Sequence, residues 1–134
     1  MTPTLLGRLQ TRLAVLVVVG LPWTLLLILA AGLPASGALL GWALVTGFGV
    51  VLWEPVYHFL QQFRWEKDWP IFLSLVTVLN EAALAWLILT HMTSASVGLF
   101  VAQVASTWLL VWLATIGPMR VVVLRWRYRG GRVW

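Results

Sequence analysis

Cysteine is absent from the 134 residues of this chain, and acidic side chains number only four. Without cysteine, a disulfide framework, a zinc knuckle, a haem attachment site and a thiol nucleophile are all excluded. The sequence also contains no glycine-rich phosphate loop, nucleophile elbow or HExxH pair. Because so few polar groups could converge on one site, the sequence predicts a protein that is not an enzyme and needs no cofactor or metal.

Charge is scarce throughout the chain. Charged residues make up 10% of it and hydrophobic residues 61%, whereas ordinary globular domains are roughly 25% charged. No titratable side chain lies between Leu13 and Trp53, and His91 is the only one between Ala82 and Met119. A membrane-spanning helix needs about 20 apolar residues. Each uncharged block is therefore long enough for two spans.

Polar turns divide these blocks. GLPASG at 32–37 and HMTSAS at 91–96 contain residues typical of tight turns and short links. Asp68 is expected to cap the third helix, with Pro70 in its first turn. The sequence predicts an all-α fold, a single domain of four transmembrane helices with a loop at 57–70 and a basic tail at 119–134. The helices are predicted at about 12–31, 37–56, 71–90 and 97–118.

The basic residues predict the topology. Lysine and arginine in short loops mark the cytoplasmic side of a membrane. All nine cations fall on one side if the chain crosses four times with both termini in the cytoplasm. Eight of the nine are arginine, which is typical of a GC-rich bacterial genome. We therefore expect a multi-pass protein of the cytoplasmic (inner) membrane of a bacterium.

Glu81 lies inside the predicted third span. At 1.5 Å per residue it is about 16 Å from Pro70, about halfway through a hydrocarbon core of roughly 30 Å. Ser74, Thr77 and Glu81 share one helical stripe. An ionised acid at that depth costs at least about 2.5 to 3.5 kcal/mol. The stripe should therefore face protein, and the acid should be neutralised, paired or hydrated.

No cation of this chain is expected at that depth, so the predicted partners of Glu81 are neutral. They are Asn80, Thr77, Gln103 and Thr107. The backbone carbonyl of Val18, which Pro22 leaves without its helical hydrogen bond, is a further candidate. Since removal from water favours a neutral carboxyl group, Glu81 is expected to be protonated unless water or the cation of a second protein reaches it. Three interpretations remain open: a proton- or cation-coupled site, a neutral acid that links helices by hydrogen bonds, and a contact with a basic residue of another subunit.

The segment after Trp53 has a second pattern of interest. Pro55 is expected to bend the helix, and the residues beyond it are expected to lie along the cytoplasmic surface of the membrane. Glu54 and His58 have the spacing of two metal ligands on one helix face. Two ligands do not make a site, and ion pairs with Arg64 or Lys67 are the ordinary explanation for these residues. No metal site is predicted.

The tail carries arginines interleaved with aromatic residues. As an extended strand it would place Trp126 and Tyr128 on the side opposite its arginines. A basic segment directly after a span typically binds anionic headgroups, so we expect a strip that docks lipid or a cytosolic partner, and no nucleic acid. The basic residues of this strip are Arg120, Arg125, Arg127, Arg129 and Arg132.

These features favour one functional hypothesis and leave a second open. The first is a non-enzymatic membrane subunit that binds or stabilises partner membrane proteins through helix 3 and the basic tail. The second is a small proton- or cation-coupled transporter or channel that uses Glu81. Since four short helices enclose little space, the second hypothesis predicts self-association into homo-oligomers.

Overall fold

A computed structural model describes residues 4–63 and 71–134 of the chain, apart from the side chain of Arg127. The cap expected at Asp68 and the expected role of the Arg127 side chain lie outside this description. Four helices are long and apolar enough to cross a membrane, and no strand occurs in the described parts. These helices are α1 (Leu5–Ala31), α2 (Ala35–Gln61), α3 (Ile71–Met92) and α4 (Val97–Val122). A short helix, α5 (Leu124–Tyr128), follows them.

Helix α1 begins at Leu5, well before the start expected near Arg12. The Thr4 side chain caps it by accepting a hydrogen bond of 3.1 Å from the backbone N–H of Gly7. Arg8 and Arg12 therefore lie within the helix, and Arg12 is about 10 Å along it from Leu5. The expected start is wrong because both arginines find acidic partners inside the bundle and need no contact with the membrane surface.

Helices α1 and α2 each contain a π-helical turn that is followed by a proline. The turns are Leu16–Gly20, followed by Pro22, and Gly49–Trp53, followed by Pro55. Proline lacks an N–H and its ring clashes with the carbonyl four residues earlier, so a wider turn accommodates it. The indole N–H of Trp42 donates to the carbonyl of Leu16 at 3.1 Å, which ties α2 to the first wide turn.

Beyond Pro55 the chain stays in the bundle as part of α2. Helix α2 continues to Gln61, beyond the end predicted at residue 56, and Glu54, Tyr57 and Gln61 are buried along its inner face. The apolar residues of this segment, including Phe59, are exposed on the outside of the bundle. Polar groups occupy the inner face because they pair with α1.

The apolar core lies between α2, α3 and α4. Its buried members are Val45, Ala85, Leu89, Phe100, Val104 and Trp108. The core occupies the part of the bundle away from Thr4 and the tail, which we call the opposite end. The other half, the terminal end, contains Thr4, the tail and most of the buried charge of the described residues.

The tail is helical and folds back on α1, so the expected extended strand is wrong. Gly130 and Gly131 adopt positive φ angles of 61° and 85°, which reverse the chain after α5. The carbonyl of Gly130 accepts a hydrogen bond of 2.9 Å from the backbone N–H of Thr4. The Thr11 hydroxyl donates to the Gly131 carbonyl at 2.7 Å, and the indole N–H of Trp126 donates to Thr11 at 2.6 Å.

Candidate functional site

Two helix faces meet at the terminal end of the bundle. Arg8 and Arg12 are four residues apart and share one face of α1. Glu54, Tyr57 and Gln61 follow one another at intervals of three and four and share one face of α2. Because α1 and α2 are antiparallel neighbours, the basic face of the first packs directly against the polar face of the second.

Arg12 binds two carboxylates at once. Its Nη1 lies 3.1 Å from Oε1 of Glu54 and 3.1 Å from Oε1 of Glu81, and its Nη2 donates to Oε2 of Glu81. This gives a bidentate pair with Glu81, the geometry in which guanidinium and carboxylate interact most strongly. Arg8 completes the cluster, with its Nε 2.7 Å from Oε2 of Glu54 and its Nη1 3.1 Å from Oε1 of Gln61.

The expectation that no cation of this chain reaches Glu81 is therefore wrong. Glu81 is 2% exposed and is paired within the chain to Arg12, which is 9% exposed. Two guanidinium groups and two carboxylates make the cluster formally neutral, which is how buried charge is tolerated. Glu81 is expected to be protonated only if no cation of this chain lies near it. The pair with Arg12 removes that reason.

Tyr57 and Asn80 extend this cluster. The Tyr57 hydroxyl donates to Oε1 of Glu81 at 3.2 Å, and Nδ2 of Asn80 donates to the Tyr57 oxygen at 2.7 Å. Of the four neutral side chains expected as partners of Glu81, Asn80 alone belongs to this network, and it acts through Tyr57. We call Arg8, Arg12, Glu54, Tyr57, Asn80 and Glu81 the ion-pair network.

None of the other three expected partners is hydrogen-bonded to Glu81 through its side chain. The Thr77 hydroxyl donates to the carbonyl of Ser74 at 2.9 Å, within its own helix. Nε2 of Gln103 donates to the carbonyl of Ala38 at 2.7 Å, toward the opposite end. The Thr107 hydroxyl is buried and has no hydrogen-bond partner in the described parts of the chain.

The guanidinium of Arg12 is held between an aromatic ring and a glycine. Its Cζ lies 5.1 Å from the ring centroid of Trp108, within the range of a cation–π interaction. On α2, a Cβ atom added at Gly49 would overlap the same guanidinium. Gly49 therefore provides the space in which Arg12 can reach both acids.

A cavity of about 230 Å³ lies beside the network. Arg8, Arg12, Glu54 and Tyr57 contribute to its wall. The remaining wall is mostly apolar and aromatic, and the tail closes one side through Trp126 and Gly131. The aromatic lining residues are Tyr57, Trp108, Trp112 and Trp126. The cavity thus combines ionised groups with a largely apolar surface.

The tail divides into a docked part and an exposed part. Trp126 is buried against α1, whereas Tyr128 is 87% exposed. Four arginines are exposed and make no ion pair with residues 4–63 or 71–134: Arg120, Arg125, Arg129 and Arg132. Glu54 pairs with Arg8 and Arg12, and the expected pairing with Arg64 or Lys67 lies outside the described residues.

Metal binding has no support in the described residues, which contain no group of three or more histidines or acids able to hold an ion. Comparisons with protein-family models, curated proteins and solved structures give no match. The ion-pair network, the adjoining cavity and the exposed arginines are therefore the observations on which a function can be proposed.

Proposed function

We propose that this protein is a non-enzymatic membrane subunit of a bacterial inner membrane that binds or stabilises partner membrane proteins. Its basic tail would dock onto anionic lipid headgroups or a cytosolic partner. The observation that carries this proposal is the set of four exposed arginines that have no acidic partner in the described chain. Each basic residue near an anionic surface contributes about 1 kcal/mol to binding.

The docked tail supports this proposal. Trp126, Gly130 and Gly131 attach the tail to α1, so Arg125 and Arg129 extend from a fixed platform. A surface that is ordered before binding loses less conformational entropy when its partner arrives. Helix α3 has a smaller role in the proposal than the sequence predicted, because Glu81 is neutralised by Arg12 and requires no cation from another subunit.

Purification of the tagged native protein in mild detergent tests the partner-binding role. We expect a distinct partner in stoichiometric amount, and a chain with Arg125→Gln, Arg129→Gln and Arg132→Gln should lose partners that dock at the tail. The lipid role is tested with the same two chains in nanodiscs, where the substituted chain should retain fewer phosphatidylglycerol molecules. Phosphatidylcholine is the uncharged control. Recovery of homo-oligomers alone, with equal lipid retention, would rule out the proposal.

A second candidate function is a proton- or cation-coupled transporter. One observation favours it: the cavity of about 230 Å³ adjoins ionisable groups inside a single chain. Intramembrane ionisable residues are functional candidates by default. A homo-oligomer was expected because four short helices enclose little space. The cavity shows that one chain encloses space of its own. In liposomes, purified protein should then move protons, and Glu81→Gln should abolish the movement.

A further inference from the structure

Three cavities follow one another along α4. The first, at the opposite end, has a volume of about 270 Å³ and is lined in part by Gln103. The second has a volume of about 10 Å³ and is lined by both Gln103 and Trp108. The third is the cavity beside the ion-pair network, which Trp108 also lines. Gln103 therefore adjoins the first and second cavities, and Trp108 adjoins the second and third.

The small middle cavity contains an unsatisfied polar group. Thr107 lines it and is 7% exposed, and its hydroxyl has no hydrogen-bond partner in the described chain. Buried hydroxyl groups are nearly always hydrogen-bonded, to protein or to ordered water. A volume of 10 to 15 Å³ on this measure corresponds to about one water molecule. The middle cavity thus has the size and the polarity to hold a single water.

Apolar side chains surround that position. Leu16, Val45 and Val104 line the middle cavity and are all buried. Beyond it, the Trp108 ring faces the guanidinium of Arg12, and its indole N–H donates to the carbonyl of Ser74 at 3.3 Å. The middle cavity is therefore a narrow constriction, apolar apart from Gln103 and Thr107, between the first cavity and the cavity beside the ion-pair network.

We propose that this line of cavities is a proton path through a single chain, which rests on the second candidate function. A proton would pass along water from the first cavity, past Gln103 and the water at Thr107, and beside the Trp108 ring into water of the third cavity. The Tyr57 hydroxyl lines the third cavity and would take a proton from that water as it gives its own proton to Oε1 of Glu81. Glu54 also lines that cavity and would exchange protons with the same water. The middle cavity has space for about one water, which is too small for a hydrated metal cation, so the proton is the species that the path would carry.

Proton flux into proteoliposomes tests this path. A potassium gradient with valinomycin drives the flux, and an enclosed pH-sensitive dye records it. Thr107→Val removes the hydroxyl and should lower the flux about fivefold, the equivalent of one lost hydrogen bond. The matched control is Thr24→Val, because the Thr24 hydroxyl is also buried without a partner in the described chain but Thr24 lines none of the three cavities. Its flux should equal that of the native chain.

A lower flux could also result from misfolding, so a variant that should raise the flux is needed as well. Val104→Thr adds a hydroxyl to the middle cavity at nearly constant volume and should raise the flux, and Glu81→Gln in the same chain should remove the increase. Flux that depends on Glu81 but responds equally to Thr107→Val and Thr24→Val would overturn the path while leaving proton coupling intact. If the native chain gives no more flux than empty liposomes, both the path and proton coupling are overturned.

Discussion

The guanidinium of Arg12 on α1 holds the carboxylate of Glu81 on α3 through two hydrogen bonds, across 69 residues of sequence. The same guanidinium binds Glu54 on α2, so a single side chain connects three of the four spans. A buried ion pair does not in itself imply high stability, because desolvation offsets much of the attraction. It does make each partner strongly dependent on the other.

Replacing Arg12 by lysine should destabilise the bundle although the charge is kept. An ammonium is a compact donor and cannot reproduce the planar fork that reaches Glu54 and Glu81 together. Hydrogen bonds to charged groups contribute about 1.5 to 3 kcal/mol each, and we expect a loss of about this size in the free energy of unfolding in detergent micelles. Arg125→Lys, on the exposed tail, is the control and should unfold like the native chain. Equal stability of both variants would contradict the bidentate geometry.

Gly49→Ala should also destabilise the protein, because the added methyl group would overlap the guanidinium of Arg12. Overpacking of a filled interior typically costs about 1 to 3 kcal/mol. Gly47→Ala provides a matched control on the same helix, since a Cβ there has no neighbour within 4 Å. That substitution should be neutral or slightly stabilising, because alanine favours helix over glycine. In the same detergent, the thermal midpoint of unfolding should therefore fall for Gly49→Ala and stay the same or rise slightly for Gly47→Ala.

Trp126→Ala should release the tail from α1. It removes the hydrogen bond to Thr11 and a buried ring from the side of the cavity. Trypsin should then cleave after Arg129 and Arg132 faster than in the native chain, because cleavage of a docked segment follows the fraction of time it is open. Trp134→Ala, at an indole that is 66% exposed, should leave the cleavage rate unchanged. Identical rates for the native chain and both variants would show that the tail is not docked.

The spans themselves could be predicted from the sequence because membrane insertion depends on the length and composition of apolar segments. Helix α4 begins at Val97, the first residue of the fourth predicted span. Helix α1 begins at Leu5, before the first predicted span. That span was placed from Arg12 onward because an arginine next to an apolar run usually lies at the membrane surface. Whether such an arginine is buried depends on acids that are distant in sequence.

The candidate site could be predicted only in part for the same reason. Glu81 was identified because an acid in an apolar run is conspicuous without knowledge of the fold. Arg12 was missed because nothing local distinguishes it from a topogenic arginine. The available signal was the helical spacing of the polar residues. Arg8 and Arg12 are four residues apart, and Glu54, Tyr57 and Gln61 follow at intervals of three and four. Such spacing shows which residues share a helix face, but only the packing of α1 against α2 shows which two faces meet.

A double-mutant cycle on Arg12 and Glu81 tests the central claim most directly. The free energy of unfolding would be measured in detergent micelles for the native chain, Arg12→Met, Glu81→Leu and the chain with both changes. Each single change leaves the buried cluster with one unbalanced charge and should cost about 3 to 5 kcal/mol. The double change should cost clearly less than the sum of the two, because neither charge remains. Additive losses would show that Arg12 and Glu81 do not pair and would contradict the account.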